Sequence, residues 1–177
     1  MMKSKWSPVV VISLLAGLGV YGSDVARVPS NTASAAFVIS LSLAERMIAG
    51  CAEHAAAQKM PPLSIAVIDA TGTLIAFSRQ DGASPVTGDI ALVKARTALR
   101  ARAPTSALGT YAAHDAGTRD ALIALQLTGI PGGLPFSPTE DLVIGAVGVS
   151  GGMSQQDEGC AQQAISTGLK ALRGNNK

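Results

Sequence analysis

The stretch Gly129-Ile-Pro-Gly-Gly-Leu-Pro-Phe-Ser-Pro-Thr-Glu-Asp-Leu-Val-Ile-Gly-Ala-Val-Gly-Val-Ser-Gly-Gly-Met-Ser-Gln-Gln-Asp-Glu-Gly159 decides the fold. It reads as a short strand, a polar turn, and a long apolar strand from Leu142 that carries Gly145 and Gly148. A glycine exit at Gly151-Gly152 then leads into a helix. Glycine inside a strand weakens it and marks the close approach of another backbone or a ligand, so the segment is expected to be both sheet core and one wall of a pocket. A phosphate-cradling loop is the competing reading. It lacks the Walker lysine, and a strand-turn-strand pattern is a hairpin.

Working outward, Ser64-Ile-Ala-Val-Ile-Asp69 and Leu74-Ile-Ala-Phe-Ser-Arg79 form a second hairpin through Ala70-Thr-Gly-Thr73, with Gly72 supplying the turn conformation. Strands joined this tightly are antiparallel, which disfavours a doubly wound nucleotide fold. Four helical stretches surround the hairpins. Leu43 to Gln58 places Leu43, Met47, Cys51 and Ala55 at helical spacing, with Ser42 as cap, Glu45 completing a capping box, and Pro61-Pro62 as the stop. Thr87 to Arg102 puts Asp89, Arg96 and Arg100 on one side and Ile90, Ala98 and Ala101 on another. Thr105 to Ala124 reads as two short helices broken near Gly109 or at His114-Asp115, with Asp115 as a cap. Ser154 to Arg173 opens with Ser154 followed by Asp157, and aims Ala161, Ala164, Ile165, Gly168, Leu169 and Leu172 at the sheet. Asp157 itself is explained by the helix dipole. The class is α+β, helices on an antiparallel sheet.

A chain of 177 residues is long enough for one well-buried core, and 47% apolar with only 3% aromatic residues means that core is built from Ala, Val, Leu and Ile. A formal charge of +2, with no basic run interleaved with aromatics, argues against a nucleic-acid surface. A small molecule or a protein is the expected partner.

Residues 1–35 read as a signal peptide: Lys3 and Lys5, the apolar run Val9 to Val20, and Ala33-Ser-Ala35 before Ala36. A retained anchor is the alternative, although the apolar run is short of the roughly 20 residues a spanning helix needs. Export gives a periplasmic or secreted domain over residues 36–177, with no stable membrane insertion after cleavage. In an oxidising compartment Cys51 and Cys160 either bridge the first and last helices or pack as buried thiols.

Lys94 falls on the apolar side of its helix, where an unpaired ammonium is costly. It snorkels to an edge, pairs with Asp81 as a strut, or faces a pocket. In the pocket reading, Asp81, Gly82, Lys94, Gly132, Gly133 and Leu134 form a ligand site whose cation and backbone amides suit a carboxylate. His54 shares a side with Leu43 and Met47; it is either a satisfied core histidine or a ligand. His114-Asp115 alone is weak metal chemistry, and no HxH, HExxH or CxxC spacing occurs, so no metal site is expected. Gly148-Val-Ser-Gly-Gly152 matches the hydrolase elbow pattern, but only two histidines and an antiparallel sheet leave that mechanism poorly supported.

Several of these stretches carry a family resemblance: Leu41-Ser-Leu-Ala-Glu45, Ser64 to Gly72, Arg79-Gln-Asp-Gly-Ala83, Ile90 to Ala98, Gly129 to Pro135, Ile144 to Gly152, and Gln156-Asp-Glu-Gly-Cys-Ala161. In that order, from about Leu41 to Leu172, the chain resembles the GlcG/HbpS family. The resemblance implies a profilin-like antiparallel sheet of about five strands in α/β/α layers, assembling into homo-oligomers. It also implies haem or a related small ligand, since such families include secreted haem-binding proteins linked to redox sensing and members labelled haem-degrading. Haem iron is held by His, Cys, Met or Tyr, which makes His54 the candidate haem ligand. Two functions follow: an exported haem- or small-ligand-binding protein in haem or redox handling, or an enzyme on a small carboxylate or aromatic breakdown product with Lys94 and Asp81 as catalytic cation and base.

Overall fold

The computed structural model describes residues 38–174. The signal-peptide and cleavage-site reading lies outside them. In chain order the elements are α1 (Leu41–Ala57), β1 (Ser64–Asp69), β2 (Leu74–Arg79), α2 (Pro85–Ala101), α3 (Thr105–His114), α4 (Ala116–Ala124), β3 (Gly133–Phe136), β4 (Gly145–Ser150) and α5 (Ser154–Gly174).

The four strands lie in the order β2-β1-β4-β3 with every neighbouring pair antiparallel. Both expected hairpins are present, and β1 joins them by pairing along β4 from Ser64↔Ser150 to Asp69↔Gly145. Among the described residues the count is four strands rather than about five. Leu142 to Ile144, expected to open the last strand, contributes only an isolated bridge from Leu142 to Thr139 and a bond from Ile144 N–H to Phe136 O.

Strand alternation sorts the sheet into two unlike faces. Ile65, Val67, Leu134, Phe136, Val147 and Val149 point to one side, where Leu43, Met47 and Cys51 of α1 and Cys160, Ala161, Ala164 and Ile165 of α5 complete the main core. On the other side Ile68 and Ala146 meet Ala95 and Ala98 of α2. Gly148 lets α2 come closest. A methyl there would fall on Ala91 O and lie 2.7 Å from Ala95 N.

Two cap readings are corrected. Ser40, extended at φ −73° and ψ 159°, caps α1 by accepting from Leu43 N–H at 3.2 Å. Ser42 already lies inside the helix and meets only Ser40 Oγ. At α5 the Ser154–Asp157 box does not form. Gln156 Oε1 accepts from Met153 N–H, and Asp157 Oδ1 from Gly152 N–H, both at 2.9 Å. The capping-box pattern is short and occurs more than once here, so it marks a helix start only to within two residues.

The cysteine question is resolved as a disulfide: Cys51 and Cys160 bridge α1 to α5 with their Cα atoms 4.7 Å apart. The break between α3 and α4 falls at His114-Asp115, and Asp115 caps α4 through Thr118 N–H and Thr118 Oγ1, both at 2.6 Å. This helical pair packs little. Thr105 is the one buried residue of α3 and α4 has none, while Tyr111 and Ile123 are 69% and 70% exposed.

Candidate functional site

Where β3, β4, α2 and α5 converge, a polar junction is buried. Lys94 leaves α2 on its apolar side and is 1% exposed. Its Nζ donates to Val149 O and to Asp157 Oδ2, both at 2.8 Å. Asp157 is equally buried and spends its other oxygen on Gly152 N–H. An ammonium can be held away from water only if paired and hydrogen-bonded. Here both partners are satisfied, and α2 is tied through Lys94 to the first turn of α5.

The glycines of the opening stretch are part of this junction. Gly132 has φ +120°, and a methyl on it would lie 2.8 Å from Asp157 Cβ and 2.9 Å from Lys94 Nζ. Gly133 presses on the backbone of α2 at Lys94 O, and its N–H donates to Thr105 Oγ1 at 3.0 Å. Thr105 Oγ1 donates in turn to Ile130 O at 2.7 Å, and Ser106 Oγ donates to Glu158 Oε1 at 2.9 Å, so the start of α3 is stitched to β3 and α5. Leu134 is buried on the opposite face of β3.

Lys94, Gly132 and Gly133 are therefore brought together, but Leu134 faces the main core, and Asp81 and Gly82 are not part of the cluster. They are exposed in the turn after β2, and Asp81 forms no ion pair among the described residues. The room expected for a ligand carboxylate beside the glycines is filled by the chain's own Asp157. Asp157 is the residue that sequence reasoning missed. Its position near the apolar sector of α5 was a visible signal, and the helix dipole explained it too early.

Four open cavities of about 130 to 380 Å³ lie elsewhere on the surface, and none is lined by Lys94, Gly132 or Asp81. His54 is half-buried in the last turn of α1, and its Nε2 would lie 3.7 Å from a methyl on Gly159 of α5. Among the described residues its side chain makes no hydrogen bond, which leaves an imidazole nitrogen available as a donor atom. No group of three or more His, Cys, Asp or Glu there could hold a metal ion. No described helix is long and apolar enough to cross a membrane. Ser150 is buried at the end of β4 and bonds to no histidine, so the hydrolase pattern has no triad behind it.

Two carboxylates are held below their ordinary range. At Asp69 partial burial acts to raise the value, but hydrogen bonds from the Thr71 hydroxyl and from Thr73, Thr71 and Gly72 N–H outweigh it. At Asp115 the Thr118 hydroxyl leads, followed by Thr118 N–H. Both are turn and cap devices rather than reactive groups.

An antiparallel four-stranded sheet between helical layers defines an α+β class of fold. The family model described as "Haem degrading protein HbpS-like" matches residues 39–166, and the chain belongs to that family. Protein GlcG of Escherichia coli K12 is 36% identical over 113 residues, spanning 64% of this chain and 81% of GlcG. The solved structure of Klebsiella pneumoniae protein ORFY superposes with a TM-score of 0.69 at 30% identity, over 73% of this chain and 90% of that one. A PduOC:heme complex superposes at 0.67 and 26% identity, over 74% and 95%.

Proposed function

We propose that this chain is an exported haem- or small-ligand-binding protein that works as a homo-oligomer in haem handling or redox sensing. The observation that carries the reading is the likeness, over three quarters of the chain, to a protein solved with haem bound, within a family described as haem-degrading. His54 fits the role of axial ligand because its ring is partly exposed and unengaged. When bound, haem would supply the redox-active iron, and the chain's own part would be to present the His54 imidazole.

Two further features support the reading. A core disulfide is at home in an oxidising compartment, in line with the signal-peptide character of residues 1–35. Exposed Tyr111, Ile123, Leu125 and Ile130 on and after the weakly packed α3–α4 pair suit a contact with a second copy. Nothing favours the enzymatic alternative: Lys94 is committed to Asp157, and Asp81 stands apart in solvent.

Titrating haemin into the purified protein tests the proposal. A shifted Soret band saturating at one haem per chain, and weakened in His54→Ala, is expected. A spectrum that stays the sum of free haemin and protein would overturn it.

A further inference from the structure

One cavity combines features that the buried junction lacks. It measures about 320 Å³, opens to solvent, and is lined by Thr71, Gly72, Val93, Arg96, Leu99, Arg100 and Gln126. That volume is at the small end of ligand-binding pockets. Its wall carries two arginines and no carboxylate, so it is a locally cationic hollow in a nearly neutral chain.

The arginines are one helical turn apart on α2, a spacing at which like charges repel unless an anion lies between them. Neither forms an ion pair among the described residues. Arg100 is held in place, because its Nη1 donates to Leu125 O at 3.1 Å just past the end of α4. That bond leaves the remaining donors of the guanidinium for a guest. The nearest carboxylate in sequence, Asp69, lines a different cavity with Val38 and Leu142. Its Oδ1 is already taken by Thr71 N–H, Thr71 Oγ1 and Thr73 N–H.

Gln126 brings a third polar side chain to the wall from a different element. It follows the last residue of the α4 cap with φ +55°, the left-handed region, where glycine is the usual occupant. Leu127 N–H closes the turn onto Leu122 O at 2.8 Å. A glycine would close the same turn with less strain but would put no amide on the cavity wall. Lys59 and Arg102 end their helices in the same left-handed conformation, so the turn itself is ordinary; what is particular to Gln126 is that the turn sets its amide on the cavity wall.

We propose that this cavity is a binding site for a small organic carboxylate with an apolar body. The Arg96 and Arg100 guanidiniums take the carboxylate in charge-assisted bonds, Gln126 adds an amide donor, and Val93 and Leu99 line the body. The site is separate from His54 and does not depend on haem binding.

Benzoate is the probe, followed by amide chemical shifts and calorimetry on the protein, with inorganic phosphate as a headgroup control. Saturable shifts at Gly72, Arg96, Arg100 and Gln126, with phosphate much weaker, are expected. Arg96→Gln and Arg100→Gln should each weaken benzoate about tenfold or more, the loss of one charge-assisted contact. Gln126→Gly should weaken it several-fold while keeping or raising Tm, which a purely structural glutamine would not do. Shifts that do not saturate at millimolar benzoate, unchanged affinity in Arg100→Gln, or phosphate binding as well as benzoate would each overturn the proposal.

Discussion

The two faces of the sheet are made of opposite materials. Under α1 and α5 the strands offer Val, Ile, Leu and Phe, and a disulfide locks the helices across them. Under α2 they offer Ala and Gly around a single Ile68, and the helix backbone rests almost directly on Gly148 and Gly133. The first face is held by apolar bulk. The second has little bulk, and closes through short distances and one long side chain, Lys94, that reaches past the sheet to Asp157. The difference teaches that a functional-looking lysine beside a double glycine can be what a small-residue interface requires to be held shut.

The largest expected effect falls on the alanine-glycine face. Lys94→Met or Asp157→Ala leaves one buried charge alone and should cost about 3–5 kcal/mol in urea unfolding. On the bulky face, Cys51→Ser with Cys160→Ser opens a bridge of 109-residue separation, and a loss of about 2–5 kcal/mol is expected by the same measurement. Gly148→Ala tests close approach by itself. It must push α2 off the sheet, with an overpacking loss of about 1–3 kcal/mol. If it is neutral, the contrast between the faces is not one of distance.

Smaller effects belong to the periphery. Ile123→Ala, on a helix with no buried residue, should change unfolding stability by less than about 0.5 kcal/mol while reducing self-association in sedimentation. Asp69 is held below its ordinary value of 3.8, so its stabilising contribution is present above that value and is lost as pH falls through the lower folded value. Asp69→Asn should therefore flatten the acid limb of the stability profile slightly.

Much of this was legible because it is local. Both hairpins follow from apolar runs closed by Gly72 and by the Ser137–Asp141 turn, and the helix break at Asp115 follows from a capping side chain. The inward aim of Lys94 was visible from helical period alone. Its partner was not, since Asp157 lies 63 residues away and carries an adequate local explanation in the helix dipole. The same holds for Cys51 and Cys160, whose types allow a bridge but whose meeting depends on how α1 crosses α5. Asp81 was drawn into the site by its nearness in sequence to β2, yet the turn leaves it in solvent. The cationic cavity was half visible: Arg96 and Arg100 share a helix side, while Gln126 arrives from another element.

The most direct test of the strut role of Lys94 is the double variant Lys94→Met with Asp157→Leu, measured for both stability and haemin binding. Replacing a buried pair by apolar side chains should recover most of the stability lost in either single variant and leave haemin binding unchanged. A well-folded double variant that no longer binds haemin would contradict the account and return Lys94 to the ligand site.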